Sequence, residues 1–335
     1  MRKFALLAVA GTLFLAGAVR VELVAKAAEA TKESTLEKAS QLDQMSLKVH
    51  ERVQEIKEKG KALNEKGEAT YARLKELYTS GNLPEAARAQ VAAVESGDEA
   101  RQVEAVAKAK GLGDGGLIVL ALAAGSQRES VRRKALESAL ALGSDGFVVI
   151  HHAFENLPDA DRIFLAEEGF KALTPERMLG IASIYERSSA EVRDAILKQA
   201  VQSKERMLLF ALIGWRVKDD AAAVTKLIEK AATVEGDQGL LALYASAKTG
   251  QPCHRIAALK AAVARKQDGL TVVAAAFTEK DVEVRAQAVR TAKAIGGPVA
   301  EYAIQMALSD PDESLRKAAE KAIEEAKAAA ASTRK

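Results

Sequence analysis

Small and aliphatic residues recur at helical spacing through most of the chain. Ala135, Leu136 and Ala139 make one such stripe; Ile196, Leu197 and Ala200 a second; Ala258, Leu259 and Ala262 a third; Ala288, Val289 and Ala292 a fourth. This period predicts amphipathic helices with a narrow, close-packing face. More uniformly apolar segments alternate with them, at 116–125, 147–156, 176–187, 205–217, 240–249, 270–278 and 300–308. Each apolar helix and the amphipathic helix after it make one two-helix unit. No alternating apolar and polar run of strand length competes, so the predicted class is all-α.

The six prolines, at positions 84, 158, 175, 252, 298 and 311, fall at predicted helix starts, where the missing N–H costs nothing. Thr174-Pro175 and Asp310-Pro311 read as an N-cap followed by a first-turn proline. Glycines gather where one unit hands over to the next, at Gly111 to Gly116, Gly143 and Gly146, Gly236 and Gly239, and Gly296-Gly297, where they serve as C-caps. The run from Gly111 to Gly116 follows a helix rather than a strand, so it reads as a loop between units and not as a phosphate cradle.

An arginine marks the first turn of the second helices. It falls at Arg101, Arg132, Arg162, Arg193, Arg255, Arg285 and Arg316, in steps of 31, 30, 31, 62, 30 and 31 residues. The double step skips Val224, in the stretch KDDAAAVTKLIEKAA. About eight units result, one of them without the marker. A fixed period in this range is one supersecondary unit repeated, each burying its apolar face against its neighbours.

The N-terminal segment is different. Arg2 and Lys3 precede an apolar run over 4–18 that closes in Ala16-Gly17-Ala18. A basic start, a short apolar run and a small-residue exit predict a signal peptide over 1–18, with a cut as late as 27 at the second such site. An uncleaved N-terminal anchor is the alternative, and the only membrane contact expected. Export of Gram-negative type follows, to the periplasm or the cell envelope. Between 28 and 82 charges are dense and mixed, which predicts a charged helical stalk. Leu42, Val49, Ile56 and Leu63 are spaced by seven, with Val53 on a second seam that otherwise holds Ser46, Gly60 and Gly67. That poor second seam favours a helix packing back on the repeats; a coiled coil between copies is the alternative.

Composition adds limits. Hydrophobic residues make up 48% but aromatics only 4%, so close helix–helix contact is expected instead of an aromatic core. The net charge of +3 is the small difference between 49 basic and 46 acidic residues, which argues against a nucleic-acid binder. Cys253 is the single cysteine, so no intrachain disulfide forms.

The stretches 281–292 (DVEVRAQAVRTA), 311–322 (PDESLRKAAEKA), 189–200 (SAEVRDAILKQA) and 128–139 (RESVRRKALESA) resemble HEAT-like repeats, in particular the short type known from phycobilin lyases and bacterial repeat proteins. The resemblance covers 84–328, leaving a basic tail at 329–335. It implies a right-handed α-solenoid that binds other proteins on its concave side, and it implies no reaction. It also implies that the marker arginines are structural, pairing with acids such as Asp98, Asp159, Asp281 and Asp312 between units.

A second column, five residues past the marker, comprises Glu137, Glu167, Lys198, Glu229, Lys260, Arg290 and Lys321. It is mostly acidic in the first half of the chain and basic in the second, and is the candidate partner-binding row for an elongated protein of opposite polarity. Catalytic and metal signals are thin. Adjacent His151 and His152 point about 100° apart on a helix, Cys253-His254 has no further ligands nearby, and the one His-Glu pair, His50-Glu51, lies outside the repeats. The iron-hydroxylase and bilin-lyase activities found in some HEAT-type proteins therefore have no support here. Trp215, with Phe210 and Tyr185, reads as core, with a bend or docking patch near the irregular unit as the alternative. The expectation is a non-catalytic scaffold or adaptor without cofactor or metal, with a homo-oligomer built through the N-terminal helix as the alternative and an enzyme or cofactor-attachment lyase of the HEAT-like family as the least favoured reading.

Overall fold

The computed structural model describes the backbone of residues 2–277 and 279–332, and the side chains of 33–328 apart from 278, 298, 299, 302, 303, 306, 326 and 327. The signal-peptide segment and the basic tail lie outside the described side chains. The described chain is all-α. A long helix, α1 (Arg2–Thr79), precedes short helices packed in chain order. These are α2 (Glu85–Glu95), α3 (Glu99–Ala109), α4 (Gly113–Ala124), α5 (Glu129–Ala141), α6 (Ser144–Ala153), α7 (Asp159–Phe170), α8 (Pro175–Glu186), α9 (Ala190–Gln202) and α10 (Arg206–Arg216). They continue with α11 (Ala221–Ala232), α12 (Gly236–Thr249), α13 (Pro252–Ala262), α14 (Gly269–Ala276), α15 (Val282–Ile295), α16 (Pro298–Ala307) and α17 (Glu313–Ser332). The predicted apolar helices correspond to the even-numbered ones from α4 onward, and the marker-bearing helices to the odd-numbered ones.

Two compact units divide the chain: residues 51–216, and residues 1–50 with 217–335. The division falls between α10 and α11, where the marker arginine is replaced by Val224. In the second unit every helix from α11 to α17 packs on its successor and on the next but one. In the first unit the same layering holds from α2 to α6 and again from α7 to α10.

Local chemistry explains the element ends. Asp98, Ser189, Asp220 and Asp281 each accept a hydrogen bond from the backbone N–H three residues on, at 3.0, 3.4, 3.0 and 3.1 Å, and so start α3, α9, α11 and α15. Thr174 caps α8 as expected, accepting from Arg177 N at 3.4 Å ahead of Pro175. The expectation for Asp310-Pro311 is not met. α17 begins at Glu313, and Asp312 takes the first-turn N–H groups of Ser314 and Leu315 at 2.9 and 3.2 Å. Asp310 is engaged elsewhere, by an arginine.

The handover glycines do two jobs. Gly143 and Gly296, at φ of +61° and +73°, turn the chain after α5 and α15. Gly146 instead permits contact: a Cβ there would lie 1.8 Å from the Ala139 carbonyl oxygen. Gly116 and Gly269 stand in the same relation to Ala109 and Ala262, at 2.0 and 2.2 Å. Each pair is an alanine in the last turn of an odd-numbered helix and a glycine seven residues later in the first turn of the next. The run from Gly111 to Gly116 is therefore only partly a loop, since α4 starts at Gly113.

Within the 51–216 unit, α1 buries Val53, Ile56 and Leu74. Its seam is completed by Gly60, where a Cβ would lie 2.8 Å from Leu179 Cδ1, and by Gly67, 3.5 Å from Val148 Cγ2. Within the other unit, α1 buries Leu42 completely, flanked by the ion pairs Lys38–Asp237 and Asp43–Lys248 with α12.

Candidate functional site

The second helices carry both candidate columns, and the structure treats them in opposite ways. From Arg132 onward the guanidinium groups of the marker column turn back onto the protein. Arg132 donates to the Ser126 and Gln127 carbonyls at 2.9 and 2.8 Å, in the loop between α4 and α5. Arg162 reaches the carbonyls of Phe154 and Glu155, at 3.4 and 3.3 Å, and Arg193 those of Tyr185 and Glu186, at 2.9 and 2.8 Å. Arg255 takes the Gly250 carbonyl at 2.5 Å. Arg285 takes Glu279 and Lys280, at 2.7 and 2.9 Å, and Arg316 takes Asp310 and Pro311, at 2.7 and 2.9 Å. Arg193 thus takes the last carbonyls of α8, and the other five bind carbonyls of the segment that links the preceding helix to their own. Arg101, on α3, is exposed.

Arg132, Arg285 and Arg255 also hold an acid further along the chain, though not the acids expected from the resemblance. Arg132 Nε meets Asp161 Oδ2 at 2.6 Å, and Arg133 Nε meets Asp161 Oδ1 at 3.1 Å; Asp161 is 1% exposed. Arg285 grips Asp310 through both oxygens, at 2.9 and 3.0 Å, which holds that carboxyl below the usual range. Arg255 pairs with Glu279. Of the expected partners only Asp159 approaches a marker, at 3.6 Å from Arg162. Asp98, Asp281 and Asp312 are occupied as helix caps.

The second column faces out. Glu137, Glu167 and Lys198 are exposed on α5, α7 and α9, and Glu229, Lys260, Arg290 and Lys321 are exposed on α11, α13, α15 and α17. Five residues beyond the marker is about 140° around the helix, away from the stripe that buries Val131, Ala135, Leu136 and Ala139. Between α7 and α9, Glu167 and Lys198 flank a depression of about 780 Å³ that also takes in Phe170, Leu173 and Ala195. Gln199 Nε2 donates to Glu167 Oε1 across it at 3.4 Å. In the other unit Lys260, Arg290 and Lys321 stand on three successively packed helices. Arg290 Nε donates to Gln287 Oε1 at 3.0 Å, and Lys321 lies 4.0 Å from Glu325.

The remaining candidates are drawn into packing. The His151 and His152 rings meet edge to face at 5.3 Å, and His152 stacks on Tyr71 at 3.6 Å. Burial pushes both imidazoles below their ordinary value. Among the described residues no group of three His, Cys, Asp or Glu side chains is placed to hold a metal ion. Tyr185 and Phe210 are buried, and Trp215 lies under Lys57 Nζ at 4.5 Å with the Arg216 guanidinium at 5.6 Å. Among the described residues no helix is long and apolar enough to cross a membrane.

Fold and surface together define an all-α protein of short, sequentially packed helix pairs whose second helices keep a charged row in solvent. No protein-family model matches the chain, and no curated protein matches it.

Proposed function

We propose that the chain is a HEAT-like repeat solenoid acting as a non-catalytic protein–protein adaptor in the periplasm or cell envelope. The observation that carries this reading is the contrast between the two columns. From Arg132 to Arg316 the marker guanidinium groups are held by backbone carbonyls where one helix passes to the next. The row from Glu137 to Lys321 stays exposed on the same helices. A charged row repeated on neighbouring helices steers an extended partner and fixes its register. The basic stretch Lys260, Arg290 and Lys321 suits an acidic segment, and Glu137 with Glu167 suits a basic one. The test is cross-linking capture from an envelope extract by the full chain and by the triple variant Lys260→Glu, Arg290→Glu, Lys321→Glu. A discrete partner held by the parent and weakened several-fold in the variant supports the adaptor. Equal capture by both overturns it.

The homo-oligomer reading has one observation of its own. Leu36 and Leu47 are each 58% exposed on α1, eleven residues apart and so on one face. Deleting the helix is a poor test, because Leu42, Val53, Ile56 and Leu74 belong to the cores. Sedimentation of the double variant Leu36→Lys, Leu47→Lys separates the cases. A parent mass well above 35.6 kDa that falls to that value in the variant favours the oligomer.

A further inference from the structure

Within the 51–216 unit the close layering of helices lapses between α6 and α8, although it is kept from α4 to α6 and from α8 to α10. A cavity of about 520 Å³ opens at this step. Its walls include Leu140, Phe147, Ile150, Leu165 and Ile184, and Leu63 of α1 contributes from above the repeats. That volume lies within the range of small-molecule sites, about 300–1,000 Å³.

Gly180 makes the cavity more than a packing defect. It sits in the middle of α8, where glycine is destabilising relative to alanine. The close-approach glycines of this protein have a reason for lacking a Cβ: a carbonyl or side chain is in the way. At Gly180 a Cβ would meet nothing within 4 Å, and its φ is not in the left-handed region. What the missing side chain provides is open volume on the cavity wall.

The polar side chains of the lining are Ser144, Thr174, Glu176 and Arg177. The first turns of α6 and α8 both reach the cavity, through Ser144 and through Thr174 to Arg177. Helix starts carry partial positive charge and N–H donors, and the α6 start has no side-chain cap. Arg177 adds a full charge. One of its terminal nitrogens donates to the Glu168 carbonyl at 3.1 Å, which fixes the guanidinium on the wall. Glu176 is exposed to solvent.

We propose that this cavity binds a single-chain aliphatic carboxylate, with its alkyl tail along Leu63, Phe147 and Gly180 and its carboxylate at Arg177 and the α6 start. The probe is dodecanoate, added to the full chain and followed by titration calorimetry, with dodecanol as the uncharged control. The parent is expected to bind dodecanoate at one site, at least about tenfold tighter than dodecanol, since charge-assisted hydrogen bonds to the head are lost in the alcohol. Gly180→Leu fills the tail volume and is expected to abolish binding while the melting temperature holds or rises. Arg177→Met is expected to keep tail binding and erase the preference for the acid. No binding by the parent overturns the proposal. So does binding that Gly180→Leu leaves intact, which marks adsorption elsewhere. Should Gly180→Leu fail to fold, Gly180→Ala, which must weaken binding severalfold, and the Arg177→Met preference decide the question.

Discussion

The two compact units use the same helix, α1, in different ways. In the 51–216 unit its buried face mixes Val53, Ile56 and Leu74 with gaps: Gly60 lies under Leu179 and Gly67 beside Val148, where short-helix side chains press down to the α1 backbone. In the other unit the seam is filled by α1 itself, with Leu42 fully buried and held between Lys38–Asp237 and Asp43–Lys248. A heptad with glycine at alternate seam positions would make a poor coiled coil. It makes a good strap where the opposing surface supplies the bulk. Small and large residues along such a helix trace the relief of its neighbours.

The sharpest way to break this comparison is to separate contacts with backbone from contacts with side chains. Gly146→Ala places a Cβ against the Ala139 carbonyl, which can move only with its helix. A loss of about 3 kcal/mol is expected in urea denaturation, and a loss under about 1 kcal/mol would undo the close-approach account. Next comes Leu42→Ala, expected to cost about 3 kcal/mol through a cavity. Hydrogen exchange should then accelerate in α12 while α8 keeps its protection; an equal response in α8 would erase the distinction drawn between the two ends of α1.

The marker arginines allow the same kind of comparison between units. Asp161→Ala takes the acid from Arg132 at a nearly closed site, while Arg133 keeps Glu129, and is expected to cost about 2–3 kcal/mol. Asp310→Asn in the other unit is expected to cost less, because Asp310 is itself part-exposed. Its signature is in pH. The Arg285 fork holds the Asp310 carboxyl below its ordinary value, so its stabilisation is complete above about pH 4 and lost as pH falls through the folded value. The urea midpoint of Asp310→Asn should therefore fall less steeply than the parent's below about pH 4. A parallel fall would assign the acid limb to other carboxylates.

The smallest effects belong to the rim of α1. Gly60→Ala meets only the end of Leu179, which can rotate, so about 1 kcal/mol or less is expected. Lys66→Ala and Arg73→Ala remove exposed ion pairs to Asp145 and Asp114 and should cost under about 1 kcal/mol each, less at high salt.

Much of this was legible in advance because it is local. Helical spacing located the short helices from α4 onward, and Thr174-Pro175 marked a true cap. The outward column was readable because burial of Val131, Ala135, Leu136 and Ala139 leaves Glu137 on the far side of α5. The partners of the arginines were not. Asp161 and Asp310 lie 29 and 25 residues beyond Arg132 and Arg285, and nothing local distinguishes them from Asp98 or Asp281, which cap helices instead. The alanine-to-glycine spacing at 109 and 116, 139 and 146, and 262 and 269 was present in the chain, but its meaning depends on a crossing between two helices.

The amino-acid sequence by itself determined the helical class, the period near thirty-one residues and the side of each second helix that meets water. These follow from interactions within a turn or two of backbone, where propensity, capping and apolar spacing act. Only the tertiary structure decided which acid each arginine holds, why Gly60, Gly146 and Gly180 lack side chains for three different reasons, and where an apolar cavity opens. Those outcomes depend on the distance between elements far apart in the chain, and that distance is set by the summed packing of all the helices between them.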